Sequence, residues 1–210
     1  MKLAAIVLAG GAGKRFGDQK LRAPLLDRPL LSFALDAAAA AADDVIVVVG
    51  AAPNVADIAH EWSRTERRPV CVLVAADPGE GMGASLRTGL QALGPDVDGA
   101  FVFLGDMPFV SAGIIQPLID AFAAGAPAAA PTFNGHLGHP VLLGRHLIAQ
   151  SAFVVGDRGA RDLLSSEPGL VLIDAGDDGV LFDVDTPDDL VAGIRRHALA
   201  SCRTAEPGRN

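Results

Sequence analysis

The chain has little that would mark it as secreted, membrane-embedded or nucleic-acid-binding. Only two cysteines occur among its 210 residues. Cys71 lies in an apolar run and Cys202 in the polar C-terminal end, so the reading is a buried Cys71 and a free Cys202 with no disulfide framework. No apolar stretch approaches the ~20 residues that a membrane-crossing helix requires. The alanine run at 37–42 favours a helix without making a span. The apolar start LAAIVLAGG is too short for a secretory signal and runs straight into Lys14 and Arg15. Positive charge is scarce, with 17 Lys and Arg against 25 Asp and Glu and a formal net charge of −8. With no basic stripe, neither nucleic acid nor a membrane is an expected partner, and the expected compartment is the cytoplasm. An acidic protein that binds a polyphosphate must place its positive charge locally, on particular Lys and Arg residues and on a metal.

What is present is apolar and rhythmic. Half of the residues are hydrophobic, enough for a substantial core. Residues 3–9, 45–49, 70–75 and 100–104 read as buried parallel strands. Residues 28–42, 53–63, 83–93 and 111–124 read as the helices between and after them, with Ser111 a plausible N-cap. The rhythm then changes. Residues 128–132 and 140–143 read as strands flanking the loop FNGHLGH, 160–165 as a helix, 170–173 as a strand and 187–198 as the last helix. The expected fold is a three-layer α/β/α, Rossmann-like, doubly wound and mostly parallel sheet, with an antiparallel excursion in the last third. One domain over 1–200 and a disordered tail over 201–210 are expected. Open α/β sheets bind ligands at the carboxyl ends of their strands, which directs attention to the loops after strands one, three and four.

Strand one ends in LAGGAGKRFG, Leu8 to Gly17. Gly10, Gly11 and Gly13 let backbone approach a phosphate closely, and successive N–H groups in such a turn form an anion-binding nest. Lys14, Arg15 and Lys20 add charge; Arg15 can bind phosphate bidentately and Lys20 can reach it as a point charge. A Walker A loop does not fit, because Arg15 follows Gly-Lys where Ser or Thr is needed. A dinucleotide fingerprint fits loosely, because Phe16 stands in the place of its third glycine and Asp36 falls inside a helix.

Asp106 ends strand four in FVFLGDMPFV, where a carboxylate points into the cleft. It is the leading candidate for holding Mg²⁺, which takes one or two carboxylates and completes its shell with water and phosphates. Asp183 and Asp185 flank Val184 in FDVDTPDDL; in an extended segment both carboxylates share a face and either can complete the site. Asp185 or Thr186 also reads as the cap of the last helix. After strand three, DPGEGMGASLRTGL enters a helix with Gly83 for close approach, Ser85 for a bond to base or ribose, and Arg87 for a phosphate. His136 and His139 lack the further ligands that zinc would need.

These segments resemble the molybdenum-cofactor nucleotidyltransferases. LAGGAGKRFGDQKLRAPLLDRPLL is similar to their opening signature, in which Leu8, Ala9, Gly10, Gly11, Arg15 and Lys20 take the nucleotide-binding places. GMGASLRTGL, LGDMPFV, GHPVLL, GDRGARDLL and DVDTPDDL look like the cytidylyltransferase branch, whereas Leu8-Ala9-Gly10-Gly11 is the guanylyltransferase form of the first turn. The resemblance implies that CMP, or else GMP, passes from a triphosphate to the phosphate of molybdopterin with release of pyrophosphate. It places His139 and Pro140, and with them Asp157, Arg158 and Arg161, on the acceptor side. A molybdoenzyme or its chaperone is the implied recipient. Three alternatives stay open: a nucleotidyltransferase with a different phosphate-bearing acceptor, an NAD(P)H-dependent oxidoreductase resembling nicotine blue oxidoreductases on the same scaffold, and a non-catalytic carrier of nucleotide or pterin.

Overall fold

In the computed structural model, residues 1–11, 16, 20–50, 52, 54–75, 81–154, 156 and 159–204 are described. The first parallel unit is β1 (Leu3–Ala9), followed by a 3₁₀ turn at Lys20–Arg22, a two-stranded ribbon of β2 (Pro24–Leu25) and β3 (Arg28–Pro29), and α1 (Leu30–Ala41). Then come β4 (Asp44–Val49), α2 (Val55–Glu66), β5 (Cys71–Val74), α3 (Met82–Gln91), β6 (Gly99–Leu104) and α4 (Ile115–Ala123). The last third holds β7 (Ala128–Phe133), β8 (His136–Leu137), β9 (Val141–Gly144), α5 (Arg145–Ala149), α6 (Ala160–Ser165), β10 (Leu170–Asp174) and α7 (Pro187–Thr204).

The sheet runs β10-β7-β9-β6-β1-β4-β5, with β8 hairpinned onto β7. β1 pairs in parallel with both β4 and β6, and β4 with β5. β9 runs antiparallel to both its neighbours, β6 and β7, which makes it the antiparallel excursion. Alternation along β1 sorts the core into two layers. Ala5, Val7 and Ala9 face α1, α2 and α4, against Leu35, Trp62 and Leu118. Ile6 and Leu8 face α3 and α6, against Leu86, Leu90 and Leu163. Val45–Val49 and Phe101–Phe103 are buried throughout because both faces are covered. The fold is the expected three-layer α/β/α sheet.

Several local expectations change. Residues 28–29, read as helix, are the return strand of the β2–β3 ribbon. Leu26 and Asp27 turn it with φ of 51° and 65°, and that turn carries no glycine to announce it. Residues 112–114 are a 3₁₀ turn ahead of α4, with the Ser111 hydroxyl accepting from Gly113 N–H as its cap. Within the loop FNGHLGH, His136–Leu137 pairs with β7. Cys71 is exposed, not buried, because β5 is the edge of the sheet. α7 continues through Thr204, past residue 201 where the tail was expected to begin, in a Leu-, Ala- and Arg-bearing stretch with good helix propensity. Among the described residues no helix is long and apolar enough to cross a membrane.

Candidate active site

From β1 the chain winds outward through β4 to β5, then returns to place β6 on the other side of β1. The strand order therefore reverses between β1 and β6, and the carboxyl ends of those two strands border the crevice where open α/β sheets hold ligands. Gly10–Gly11 leaves β1 there, and Gly105–Asp106 leaves β6 there. The two exits are stitched together, since Gly105 N–H donates to the Leu8 carbonyl at 2.9 Å.

The glycine turn is fitted to its surroundings. A Cβ on Gly10 would lie 2.5 Å from Ser85 Oγ, and one on Gly50, at the end of β4, would lie 2.6 Å from the Gly10 carbonyl oxygen. Gly10 thus seats the turn directly on the first turn of α3, while a Cβ on Gly11 would meet nothing within 4 Å. Ser85 is buried with its hydroxyl against Gly10. Gly83 N–H donates to the Gly156 carbonyl at 2.7 Å, so the start of α3 is joined to the loop before α6. No motif marks Gly50 in the sequence; its one signal is that it is a glycine closing a buried parallel strand. Gly13, Arg15, Asp157 and Arg158 lie outside the described residues.

Lys20 is the centre of the charged group. Its Nζ lies 2.7 Å from Asp106 Oδ2 and 2.8 Å from Asp185 Oδ1. Its side chain is 12% exposed, against 25% for Asp106 and 42% for Asp185, so the ammonium is the innermost of the three. Burial pulls the Lys20 pKa down, but attraction and hydrogen bonds from Asp106 and Asp185 outweigh it and hold the ammonium above the ordinary lysine value. Behind it, Leu21 is buried in the core and Ala23 N–H donates to the Lys20 carbonyl, which fixes the backbone from which the side chain extends.

The second aspartate arrives by a strap. Val184 is fully buried, and its N–H donates to the Asp106 carbonyl at 3.0 Å. The two possible roles for Asp185 and Thr186 separate here. Thr186 caps α7 in a reciprocal box: its N–H and hydroxyl donate to Asp189 at 2.7 and 2.8 Å, and Asp189 N–H donates to Thr186 Oγ1 at 3.2 Å. Asp185 N–H also donates to Asp189, at 3.1 Å, leaving the Asp185 carboxylate for Lys20. Asp183, exposed at the rim, titrates above the usual carboxylate range, first from partial desolvation by the cleft wall and then from the charges of Asp185 and Asp106. Among the described residues no three His, Cys, Asp or Glu side chains are gathered into a closed metal cage.

Next to this group opens a cleft of about 330 Å³. Leu104, Met107, Leu137 and Leu164 form its apolar walls, and Asp183, His139 and Arg161 its polar part. The cleft exists because the β6–β9 ladder ends at the Val102–Val141 pair, where Pro140 has no N–H to continue it. His139 fills the gap. Its Nδ1 is 3.3 Å from the Val102 carbonyl, which can only accept, so Nδ1 carries the proton and Nε2 remains an acceptor. Desolvation lowers the His139 pKa and Arg161 adds to the shift, so the ring is neutral at pH 7. Arg87, read as a candidate phosphate ligand, donates to the Val154 carbonyl at 2.9 Å.

Known proteins share this architecture. Over 204 residues the chain is 29% identical to the purine catabolism protein PucB of Bacillus subtilis (strain 168), covering 89% of this chain and 93% of that one. It is 23% identical over 203 residues to the molybdenum cofactor cytidylyltransferase of Escherichia coli (strain K12), covering 91% and 95%. Some relatives are longer: the chain spans 26% of the bifunctional protein GlmU of Leifsonia xyli, to which it is 34% identical over 60% of its own length. The crystal structure of Rv0371c from Mycobacterium tuberculosis H37Rv in complex with manganese is 27% identical, with a TM-score of 0.71 over 93% of this chain and 99% of that one. Residues 5–170 match the MobA-like NTP transferase domain, from β1 to the first residue of β10. The chain therefore belongs to the MobA-like NTP transferase family and is a nucleotidyltransferase.

Proposed function

We propose that this nucleotidyltransferase passes CMP, in preference to GMP, from the triphosphate to the phosphate of molybdopterin, releasing pyrophosphate and using Mg²⁺. The observation that carries the reading is Lys20 held between Asp106 and Asp185 beside the Gly10–Gly11 turn. The donor set suits a hard divalent ion. Two carboxylates from separate segments already converge on one cation, the Lys20 ammonium. Asp106 with Asp185, or with Asp183, would hold the ion; water and phosphate oxygens would complete its shell. Bound there, Mg²⁺ supplies positive charge to the triphosphate oxygens.

The remaining work belongs to the chain. The backbone of Gly10 and Gly11 approaches the phosphates, with Lys20 and Arg15 neutralising the β and γ groups. Ser85 offers its hydroxyl to the ribose or base. An ionised oxygen of the acceptor phosphate attacks the α-phosphorus and forms a new P–O bond. The bond from the α-phosphorus to the bridging oxygen breaks, and that oxygen leaves with pyrophosphate. No protein nucleophile is used, so the rate comes from positioning and charge. The apolar cleft with a neutral His139 and a cationic Arg161 suits a flat heterocycle bearing an anionic group. The family resemblance assigns Asp157 and Arg158 to the acceptor as well, and a molybdoenzyme or its chaperone would receive the product.

The test is to supply Mg²⁺, molybdopterin and each of the four nucleoside triphosphates in turn and to measure pyrophosphate. CTP should give the highest rate and GTP a lower one. Equal rates with all four would remove the base assignment, and turnover with a different phosphate acceptor but none with molybdopterin would remove the acceptor assignment.

A further inference from the structure

Lys20 occupies the space that the two aspartates would give to a metal ion. Its Nζ touches Asp106 Oδ2 at 2.7 Å and Asp185 Oδ1 at 2.8 Å. A divalent ion seated between Asp106 Oδ2 and Asp185 Oδ1 would take the position the ammonium holds, and two cations at contact distance repel strongly in a partly desolvated site. The two carboxylates are in turn brought together by the Val184–Asp106 backbone bond, and without a cation between them they would repel. Lys20 is therefore not free to serve phosphate while it serves them. We infer that Lys20 is a built-in counter-ion: it closes the metal site in the nucleotide-free enzyme and gives it up when metal and triphosphate arrive together. The inference rests on the assignment of the metal to Asp106 and Asp185.

Three features make the exchange workable. Among the described residues, one ammonium bridges the two carboxylates of Asp106 and Asp185, and the charge of Asp183 also acts on it, so these acidic groups attract a further cation. The Lys20 backbone is held by Ala23 N–H and by the buried Leu21, so its four-carbon side chain can swing while its root stays fixed. The Gly10–Gly11 turn leaves the adjoining strand end, which gives the ammonium a phosphate to move to. It follows that Lys20 opposes metal binding to the free enzyme. A triphosphate, by drawing Lys20 away, strengthens metal binding, and the coupling is reciprocal.

Mn²⁺ alone, titrated without nucleotide and followed by electron paramagnetic resonance of the free ion, tests this. Lys20→Met and Lys20→Gln keep most of the side chain, one atom shorter, and remove the competing charge. Both should bind Mn²⁺ at least about tenfold more tightly than the wild type. Asp106→Asn should bind it more weakly, and thermal melts establish that each variant is folded. If Asp106→Asn weakens binding but neither Lys20 variant tightens it, Lys20 is not a competitor and the inference is overturned. If wild type and Asp106→Asn bind alike, the metal assignment falls, and the counter-ion role with it.

Discussion

The backbone N–H of Val184 donates to the backbone carbonyl of Asp106 at 3.0 Å. Because Val184 is fully buried, this one bond sets the depth and rotation of the segment on either side of it. It brings a residue from just before the last helix beside the end of the fourth long strand, and so puts Asp185 in reach of Lys20.

The ion pairs should separate by role. Asp106→Asn should lower kcat by on the order of 10²–10³-fold, since a group acting on developing charge is removed. Asp185→Asn, whose carboxylate is the more exposed, should lower it by about 10–100-fold. Steady-state pyrophosphate release checks both, with urea unfolding to show that the fold is kept.

The glycine turn makes a rescue experiment possible. Gly10→Ala would place a methyl group 2.5 Å from Ser85 Oγ, so the single variant should unfold at lower urea concentration and lose triphosphate affinity. Removing that oxygen with Ser85→Ala should restore stability to the double variant. The measured quantity is the coupling energy in a double-mutant cycle; strictly additive effects would contradict the contact.

The cap of α7 contributes stability apart from catalysis. Thr186→Ala should cost about 1 kcal/mol in urea unfolding. Bonds from the Thr186 hydroxyl and N–H hold the Asp189 carboxyl below its ordinary pKa. A depressed folded pKa stabilises above the unfolded value and is lost as pH falls through the folded one. The stability gap between wild type and Asp189→Asn should therefore be full at neutral pH and close in acid, below about pH 4.

His139 carries the opposite charge sign but the same direction of pH response. Desolvation keeps its ring neutral in the fold, with a pKa below that of an unfolded histidine. On acidification the unfolded chain takes up this proton first, so wild-type stability should fall as pH drops below about 6.5. In His139→Gln that slope between neutral pH and pH 5 should be shallower.

Much of this site could be read in the chain because it is local. The Gly10–Gly11 turn, Asp106, the apolar run of β1 and the β-branched run of β4 each announce themselves within a few neighbouring residues. The strand–helix alternation then puts the two exits beside each other without any knowledge of side-chain contacts. The Lys20–Asp185 pair could not be read, since its partners are 165 residues apart. Nor could the choice between Asp185 and Thr186 as the cap of α7, because both residue types accept helix N–H groups and only tertiary contact with Lys20 separates them. The β2–β3 ribbon escaped for a different reason: Leu26 and Asp27 adopt positive φ without the Asn-Gly or Gly that usually marks such a turn.

Following the label from the α-phosphate of the nucleotide tests the central claim most directly. With [α-³²P]CTP, Mg²⁺ and molybdopterin, label should appear in the pterin product in step with unlabelled pyrophosphate, and Asp106→Asn should lose both together. Label that stays in CTP while NAD(P)H is consumed by the same protein would contradict the account.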